Sequence, residues 1–226
     1  MPAEGSDDDS RNNRMENKFD REKHVYRNDE FSEILKNAVR FFHGTPVFQI
    51  PPPEPFIGSG VYAFYYIGKT GIYAKFGKEI NRTAYNVPIY VGKAVPDGWR
   101  QSRNVGTADE KAKLFCRMKE HVRSIQSTNS LSVVDFHCRF MIFEGEARNM
   151  ITAVEAALIA EKTPLWNSVV DGFGNHAPGI RRKDGRLPAW DTLHPGRGWT
   201  AQMSGERPEA RDIQRRVKDY MVGLRL

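Results

Sequence analysis

Two basic side chains in this 226-residue chain are spaced so that they would act together on a helix. Arg117 and His121 are four residues apart, which places them on the same helix flank. The planar guanidinium of Arg117 can bind two phosphate oxygens and stays charged at any working pH. The imidazole of His121 can gain or lose a proton near neutral pH. Phosphate binding by Arg117 and proton transfer by His121 are one interpretation of the pair, and a solvated helix flank, which would show the same spacing, is the other.

A carboxylate also stands where an apolar residue is expected. At 100° per residue, Glu155 lies within about 40° of Ile151, inside the apolar stripe of a helix predicted over residues 148–162. An inward carboxylate needs a partner, and a lone one suits a single Mg²⁺ that keeps most of its waters. Glu155 is therefore a candidate ligand of one divalent metal ion. The competing interpretation is an ordinary glutamate at a half-exposed helix edge.

Two predicted helices position these three groups. The first begins at a capping-box pattern formed by Thr107 and Glu110 and runs to about Ile125. Its apolar stripe consists of Leu114, Phe115, Met118, Val122 and Ile125. The second helix carries Glu155 and is ended by Pro164.

Strands are predicted on either side of the first helix. Residues 61–67 read VYAFYYI, an uncharged aromatic run typical of a buried central strand, and a glycine turn leads from it into a second extended segment, 72–76. Residues 87–91 and 133–143 are further strand candidates. This order predicts an α+β fold with a small, mainly antiparallel three-stranded central sheet, flanking helices, an N-terminal arm and C-terminal loop and helix extensions.

Composition changes along the chain predict four regions. Residues 1–30 form a polar flexible arm, 31–57 a helix and proline-rich lead-in, and 58–170 the core. Residues 171–226 form basic, glycine-rich surface loops, among them the segment around Arg197, and then a C-terminal helix.

The formal charge of +6 conceals an asymmetry. The first 30 residues hold six basic and nine acidic groups, so the other 196 hold 28 and 19 and are near +9. A basic body favours a polyanionic partner, and 39% hydrophobic residues exclude a wholly disordered chain. No apolar run approaches the roughly 20 residues that cross a bilayer. Two cysteines are too few for a disulfide framework, so we expect a reduced, cytoplasmic protein.

Short motifs in a fixed order connect these groups. Gly60-Val61-Tyr62 lies in the first predicted strand and Tyr90-Val91-Gly92 ends a later one. They are followed by Arg117, His121, Glu155 and Asn167. Over residues 58–170 this order resembles the GIY-YIG nuclease superfamily, in particular its short type II restriction endonucleases that cut CCGCGG.

The resemblance implies a role for each residue. Tyr62 would activate the attacking water, and His121 is our candidate for the neighbour that draws off the tyrosine proton, because a phenol with a pKa near 10 is otherwise a poor base. Tyr90 would position water or phosphate, Asn167 would orient the site, and Arg117 and a Mg²⁺ on Glu155 would stabilise phosphate charge. The partners implied are double-stranded DNA, a second copy in a homodimer and a cognate DNA methyltransferase, in a bacterial cytoplasm.

Other interpretations stay open at this stage. The literal string Gly71-Ile72-Tyr73, paired with Tyr90-Val91-Gly92, makes Tyr73 the alternative catalytic tyrosine; we favour Tyr62 because residues 61–67 form the better central strand. Tyr62 and Tyr90 are also ordinary strand aromatics, and Asn167 is also a common turn residue.

Base recognition is predicted to come from a basic cluster. For a G·C-rich site, Arg or Lys would donate to O6 and N7 of guanine. The candidates are Arg181, Arg182, Lys183 and Arg186, with Lys93 as a further DNA contact. Phosphate contacts or simple solubility are the competing explanations for these residues. At the level of function, the alternatives are a repair or mobile-element nuclease and a non-catalytic nucleic-acid-binding module.

Overall fold

The computed structural model describes residues 19–98, 111–177 and 183–224. Its sheet has four antiparallel strands in the order β1-β4-β2-β3. The strands are β1 (Val47–Gln49), β2 (Ser59–Tyr66), β3 (Tyr90–Ala94) and β4 (Phe136–Phe143). The α+β fold is confirmed, but the expectation of three strands was wrong, because β1 forms within the predicted lead-in and pairs with β4.

Six α-helices surround this sheet in the described ranges. They are α1 (Asp29–Gly44), α2 (Lys113–Gln126), α3 (Ile151–Lys162), α4 (Leu165–Ser168), α5 (Ala189–Leu193) and α6 (Ala210–Gly223). Short 3₁₀ turns lie at Arg21–His24, Val133–Asp135, Gly145–Met150 and Gly198–Gln202, and a π-helical turn lies at Phe76–Ile80. None of the helices in this part of the chain combines the length and apolar character needed to cross a membrane.

Strand β2 is the centre of the fold, and all eight of its residues are buried. Its alternate side chains point to opposite faces of the sheet. Tyr62, Phe64 and Tyr66 join the core formed with α2, whereas Val61 and Ala63 join the core formed with α1 and α3. An uncharged run was required here because both faces of the strand are covered.

Several predicted boundaries were wrong. The segment 72–76 is not extended; Tyr73, Phe76 and Ile80 are spaced three and four residues apart and bury together on a turn followed by the π-helical turn. The third strand begins at Tyr90 rather than residue 87. Helix α2 begins at Lys113, and the Thr107 and Glu110 pattern lies outside the described residues.

The C-terminal region is part of the core rather than a set of surface loops. Trp190, His194 and Arg197 are each less than 10% exposed, so the prediction of a surface segment around Arg197 was wrong. Residues of α5 and α6 belong to the same apolar cluster as Tyr62. The region therefore packs onto the α2 side of the sheet, where it is able to contribute to a site there.

Candidate active site

Tyr62 and His121 meet in a buried hydrogen bond between the sheet and α2. The Tyr62 hydroxyl oxygen lies 2.5 Å from Nε2 of His121. Both side chains are enclosed, Tyr62 at 0% and His121 at 1% exposure. They face each other because alternate residues of β2 point toward α2 and because His121 lies on the buried stripe of that helix.

Burial keeps both groups neutral. It raises the pKa of Tyr62 well above its ordinary value of 10.0, and Tyr90 adds to this rise while Arg117 opposes it. Burial also lowers the pKa of His121 well below 6.5, and the cationic Arg117 acts in the same direction. With both groups neutral, the Tyr62 hydroxyl donates to Nε2 in the tautomer that carries the ring proton on Nδ1, and it accepts from Nε2 in the other tautomer. Tyr62 and His121 are thus a hydrogen-bonded neutral pair, and the expectation that His121 titrates near neutral pH was wrong, because burial lowers its pKa.

Strand β3 brings Tyr90 and Gly92 beside Tyr62. Gly92 is the cross-strand partner of Tyr62, so both residues point to the α2 face. A Cβ at position 92 would lie 2.5 Å from the Tyr62 hydroxyl oxygen, which explains why the residue opposite the tyrosine lacks a side chain. Tyr90 lies next along the same face, with its ring centroid 6.2 Å from that of Tyr62 and 5.2 Å from that of His121.

Arg117 lies one helical turn before His121 and is held on several sides. Its Nη1 donates to Oε2 of Glu120 at 2.6 Å and to Nε2 of His176 at 2.8 Å. Its Nη2 donates to the carbonyl oxygen of Gly174 at 2.6 Å. The side chain is 18% exposed, so the guanidinium is oriented by the protein yet open to solvent. It is placed to meet an anion that approaches Tyr62 and Tyr90.

Glu155 reaches the site from the opposite face of the sheet. Lys93 of β3 pairs with Val61 and so points toward α3, where its Nζ lies 2.5 Å from Oε2 of Glu155. The Glu155 side chain is 18% exposed, and its charge adds to the raised pKa of Tyr90, which burial mainly causes. Because β3 is the edge strand of the sheet, a side chain on α3 can approach Tyr90 around it.

The donor set around Glu155 fits a sparsely liganded metal ion. The described residues contain no cluster of three or more His, Cys, Asp or Glu side chains that would enclose a metal. Mg²⁺ often binds through one or two carboxylates and fills its other positions with water and substrate phosphate. Glu155 is one such carboxylate, and its partner in this structure is Lys93, which a bound metal ion would have to displace.

Asn167 holds the outer edge of β3. Its Oδ1 accepts from the backbone N–H of Val91 at 2.8 Å, and its Nδ2 donates to the carbonyl oxygen of Val91 at 2.9 Å. The side-chain amide thus takes the place of a neighbouring strand between Tyr90 and Gly92. Asn167 therefore contacts the backbone of the motif and orients the two residues on either side.

The other predicted residues lie apart from this cluster or outside the description. Tyr73 has a different histidine partner, since its hydroxyl oxygen is 2.7 Å from Nε2 of His194. Lys183 lies on a turn whose backbone bonds to Ser204, and Arg186 is exposed on the same segment. Arg181 and Arg182 lie outside the described residues.

Sequence reasoning missed residues that follow α4. Phe173 stacks on His121 with ring centroids 4.5 Å apart, and Gly174 and His176 contact Arg117. Their glycine-rich surroundings look like any surface loop. The signal that was available is an aromatic residue between two glycines, Gly172 and Gly174, because a surface loop rarely needs a large apolar side chain there.

One comparison with known protein families gives a match. A family model described as the Eco29kI GIY-YIG domain matches residues 54–221, well over half of the chain. The matched range contains all of the site residues described above and extends through α5 into α6. No curated protein matches the chain.

Proposed function

The chain belongs to the Eco29kI family of GIY-YIG restriction endonucleases, nucleases that act on DNA, and from this premise we propose that it is a type II enzyme. It hydrolyses phosphodiester bonds of double-stranded DNA at a short palindromic G·C-rich site, CCGCGG, with a tyrosine-activated water and one divalent metal. The observation that carries the mechanism is the buried hydrogen bond from Tyr62 to His121 beside Tyr90 and Arg117.

Tyr62 and His121 supply the proton path in this mechanism. A water that attacks phosphorus must lose a proton, and a neutral phenol accepts one only if it releases its own. As the new oxygen–phosphorus bond forms and the phosphorus–O3′ bond breaks, the water proton moves to the Tyr62 oxygen and the Tyr62 proton moves to Nε2 of His121, which carries its own proton on Nδ1 in this proposal. The departing 3′ oxygen takes its proton from solvent. The 2.5 Å separation supports this relay, because the second transfer needs no side-chain movement.

Arg117 and Tyr90 hold the phosphate. The guanidinium donates to the non-bridging oxygens, on which negative charge grows in the transition state. The Tyr90 hydroxyl, on the same face as Tyr62, donates to the phosphate or to the attacking water. Asn167 fixes the backbone on either side of Val91, and therefore the position of Tyr90, through its two bonds to Val91.

Glu155 would hold the Mg²⁺. When bound, the metal stabilises the charge on the phosphate and on the departing 3′ oxygen. Lys93 neutralises Glu155 in its absence and would have to leave the carboxylate or share it. Once released from the carboxylate, Lys93 would be a cation able to contact a DNA phosphate.

A palindromic target calls for twofold symmetry in the protein, so we propose a homodimer. The basic segment with Arg181, Arg182, Lys183 and Arg186 would read guanines in the major groove. A cognate DNA methyltransferase would protect the DNA of the bacterial host, and both proteins would act in the cytoplasm.

Digestion of a plasmid of known sequence tests the function. With Mg²⁺, wild-type protein should give discrete fragments whose ends map to CCGCGG, and Glu155→Ala should leave the DNA intact while still binding it. Cutting at scattered positions would favour a repair or mobile-element nuclease. Binding without any cutting by the wild type would favour a non-catalytic module.

A matched pair of variants tests the choice of tyrosine. Tyr62→Phe and Tyr73→Phe each remove one hydroxyl that is bonded to a buried histidine. We expect Tyr62→Phe to abolish cleavage and Tyr73→Phe to retain it. The reverse result would identify Tyr73 as the catalytic tyrosine and refute the relay.

A further inference from the structure

We propose that Arg197, in the C-terminal region, is a positioning residue that fixes the Gly172–His176 loop against the catalytic side chains. The inference rests on the proposed function, because the groups that the loop contacts are those assigned to catalysis. It gives the C-terminal region a task in the chemistry in addition to DNA recognition.

Arg197 is bound by a buried carboxylate and by the loop backbone. Its Nε donates to Oδ1 of Asp191 at 2.6 Å, and its Nη2 is ion-paired with Oδ2 of the same residue. The remaining guanidinium donors reach three loop carbonyl oxygens, those of Gly172 at 2.9 Å, Phe173 at 3.2 Å and Asn175 at 3.1 Å. A single guanidinium thus binds three carbonyl oxygens that would otherwise repel one another.

Two indole rings enclose the guanidinium. Its central carbon lies 4.7 Å from the ring centroid of Trp190 and 4.7 Å from that of Trp199. Arg197 is 6% exposed and Asp191 is 2% exposed. A buried ion pair contributes little to stability compared with apolar residues of the same volume. The main effect of the ion pair is therefore the orientation that it imposes on the loop rather than a gain in stability.

The loop held in this way forms one wall of the active site. Phe173 stacks on the His121 ring with centroids 4.5 Å apart and meets the Tyr90 ring edge-on at 5.0 Å. Gly174 accepts from Arg117, and a Cβ on Gly174 would collide with the Tyr90 hydroxyl. His176 accepts from the other terminal nitrogen of Arg117. Both the proton relay and the phosphate-binding guanidinium therefore depend on where this loop lies.

Release of the loop would also change the titration of His121. The charged and titratable groups around this ring are Tyr62 of β2, Tyr90 of β3, Arg117 of α2, and His176 and Arg197 of the C-terminal region. Removing the Phe173 ring admits water to the imidazole, which favours its protonated form. Since the relay needs an unprotonated Nε2, the acid limb of the activity profile would then move to higher pH.

Arg197→Lys tests the proposal, because lysine keeps the charge but cannot reach Asp191 and three carbonyls together. We expect single-turnover cleavage of a CCGCGG duplex to slow about 10²-fold, as for a displacement of about 1 Å. DNA affinity measured with Ca²⁺ should stay within about threefold of wild type. In histidine NMR spectra, the pKa of His121 should rise toward 6.5. Arg215→Lys, at an exposed pair with Asp212, is the matched control and should change none of these.

Phe173→Leu and His176→Gln alter the loop without touching the buried pair, so they decide the matter if Arg197→Lys does not fold. Each should slow cleavage, and Phe173→Leu should raise the pKa of His121. Wild-type cleavage and an unchanged His121 titration in folded variants would overturn the proposal, as would a loss confined to DNA affinity. If the wild type cuts no DNA, the proposed function fails, while the His121 titration still tests whether Arg197 fixes the loop.

Discussion

Adding one methyl group opposite Tyr62, the tyrosine that we propose activates the water, should slow DNA cleavage sharply while leaving the fold intact. In Gly92→Ala, the new Cβ would lie 2.5 Å from the Tyr62 hydroxyl oxygen and 2.7 Å from the adjacent ring carbon, whereas ordinary contacts begin near 3.4 Å. Tyr62 must therefore shift by about 1 Å, and its 2.5 Å bond to His121 would stretch to about the limit of a hydrogen bond. A displacement of this size costs about 10²-fold in rate.

The assay is single-turnover cleavage of a duplex carrying the target site, with DNA affinity measured separately. Gly44→Ala is the matched control, because no atom lies within 4 Å of the Cβ it would add. The clash should also lower the free energy of unfolding by about 1–3 kcal/mol, which urea denaturation would detect. If folded Gly92→Ala cleaves within threefold of the wild-type rate, catalysis does not require the Tyr62 hydroxyl to lie at its observed position.

Three further predictions follow from charged groups. Burial lowers the pKa of His194 to about 3, so the unfolded chain takes up a proton below pH 6.5 that the folded chain does not. Urea titrations should therefore show the free energy of unfolding falling by about 1.4 kcal/mol per pH unit from pH 6.5 toward pH 3. In His194→Asn the free energy of unfolding should fall less steeply over the same range. Lys93→Met removes the cation that competes with Mg²⁺ for Glu155, so calorimetry should show Mg²⁺ binding about tenfold tighter than in the wild type. Equal Mg²⁺ affinities of the variant and the wild type would contradict this expectation. Glu120→Gln frees one donor of Arg117 at a half-exposed pair, so DNA affinity should rise about two- to fivefold, and a decrease would show that Glu120 orients Arg117 instead.

The central elements of the fold were predictable from residues that have only one stable environment. The run at 61–67 is uncharged, so it had to be covered on both faces, and the stripe from Leu114 to Ile125 had to lie on a sheet. The short strand β1 was missed because three residues carry no readable alternation. The segment 72–76 was misread because its aromatic and β-branched residues favour a strand, while the buried positions Tyr73, Phe76 and Ile80 follow a helical period.

The six residues assigned to chemistry came from motif order, and the structure gathers four of them, Tyr62, Tyr90, Arg117 and His121, on one face of the sheet. Periodicity alone did not reveal that Glu155 approaches from the other face. That arrangement depends on β3 being the edge strand, a property of the whole sheet rather than of any segment. The spacing of motifs along the chain thus says less about which side chains meet at the site than the order of strands in the sheet does.

Arg197 shows why a basic run is difficult to interpret. In the sequence it stands among arginines that suit DNA equally well, and nothing in its own spacing separates a buried arginine from a free one. The structure does separate it, because Asp191 supplies a counter-charge and Trp190 and Trp199 supply apolar walls around Arg197, whereas Arg186 is exposed. A buried cation needs both a carboxylate and an apolar enclosure, so their joint presence predicts an arginine that organises the protein. The half-buried Lys183 and the exposed Arg186 are the described members of the basic cluster that we propose for DNA contact.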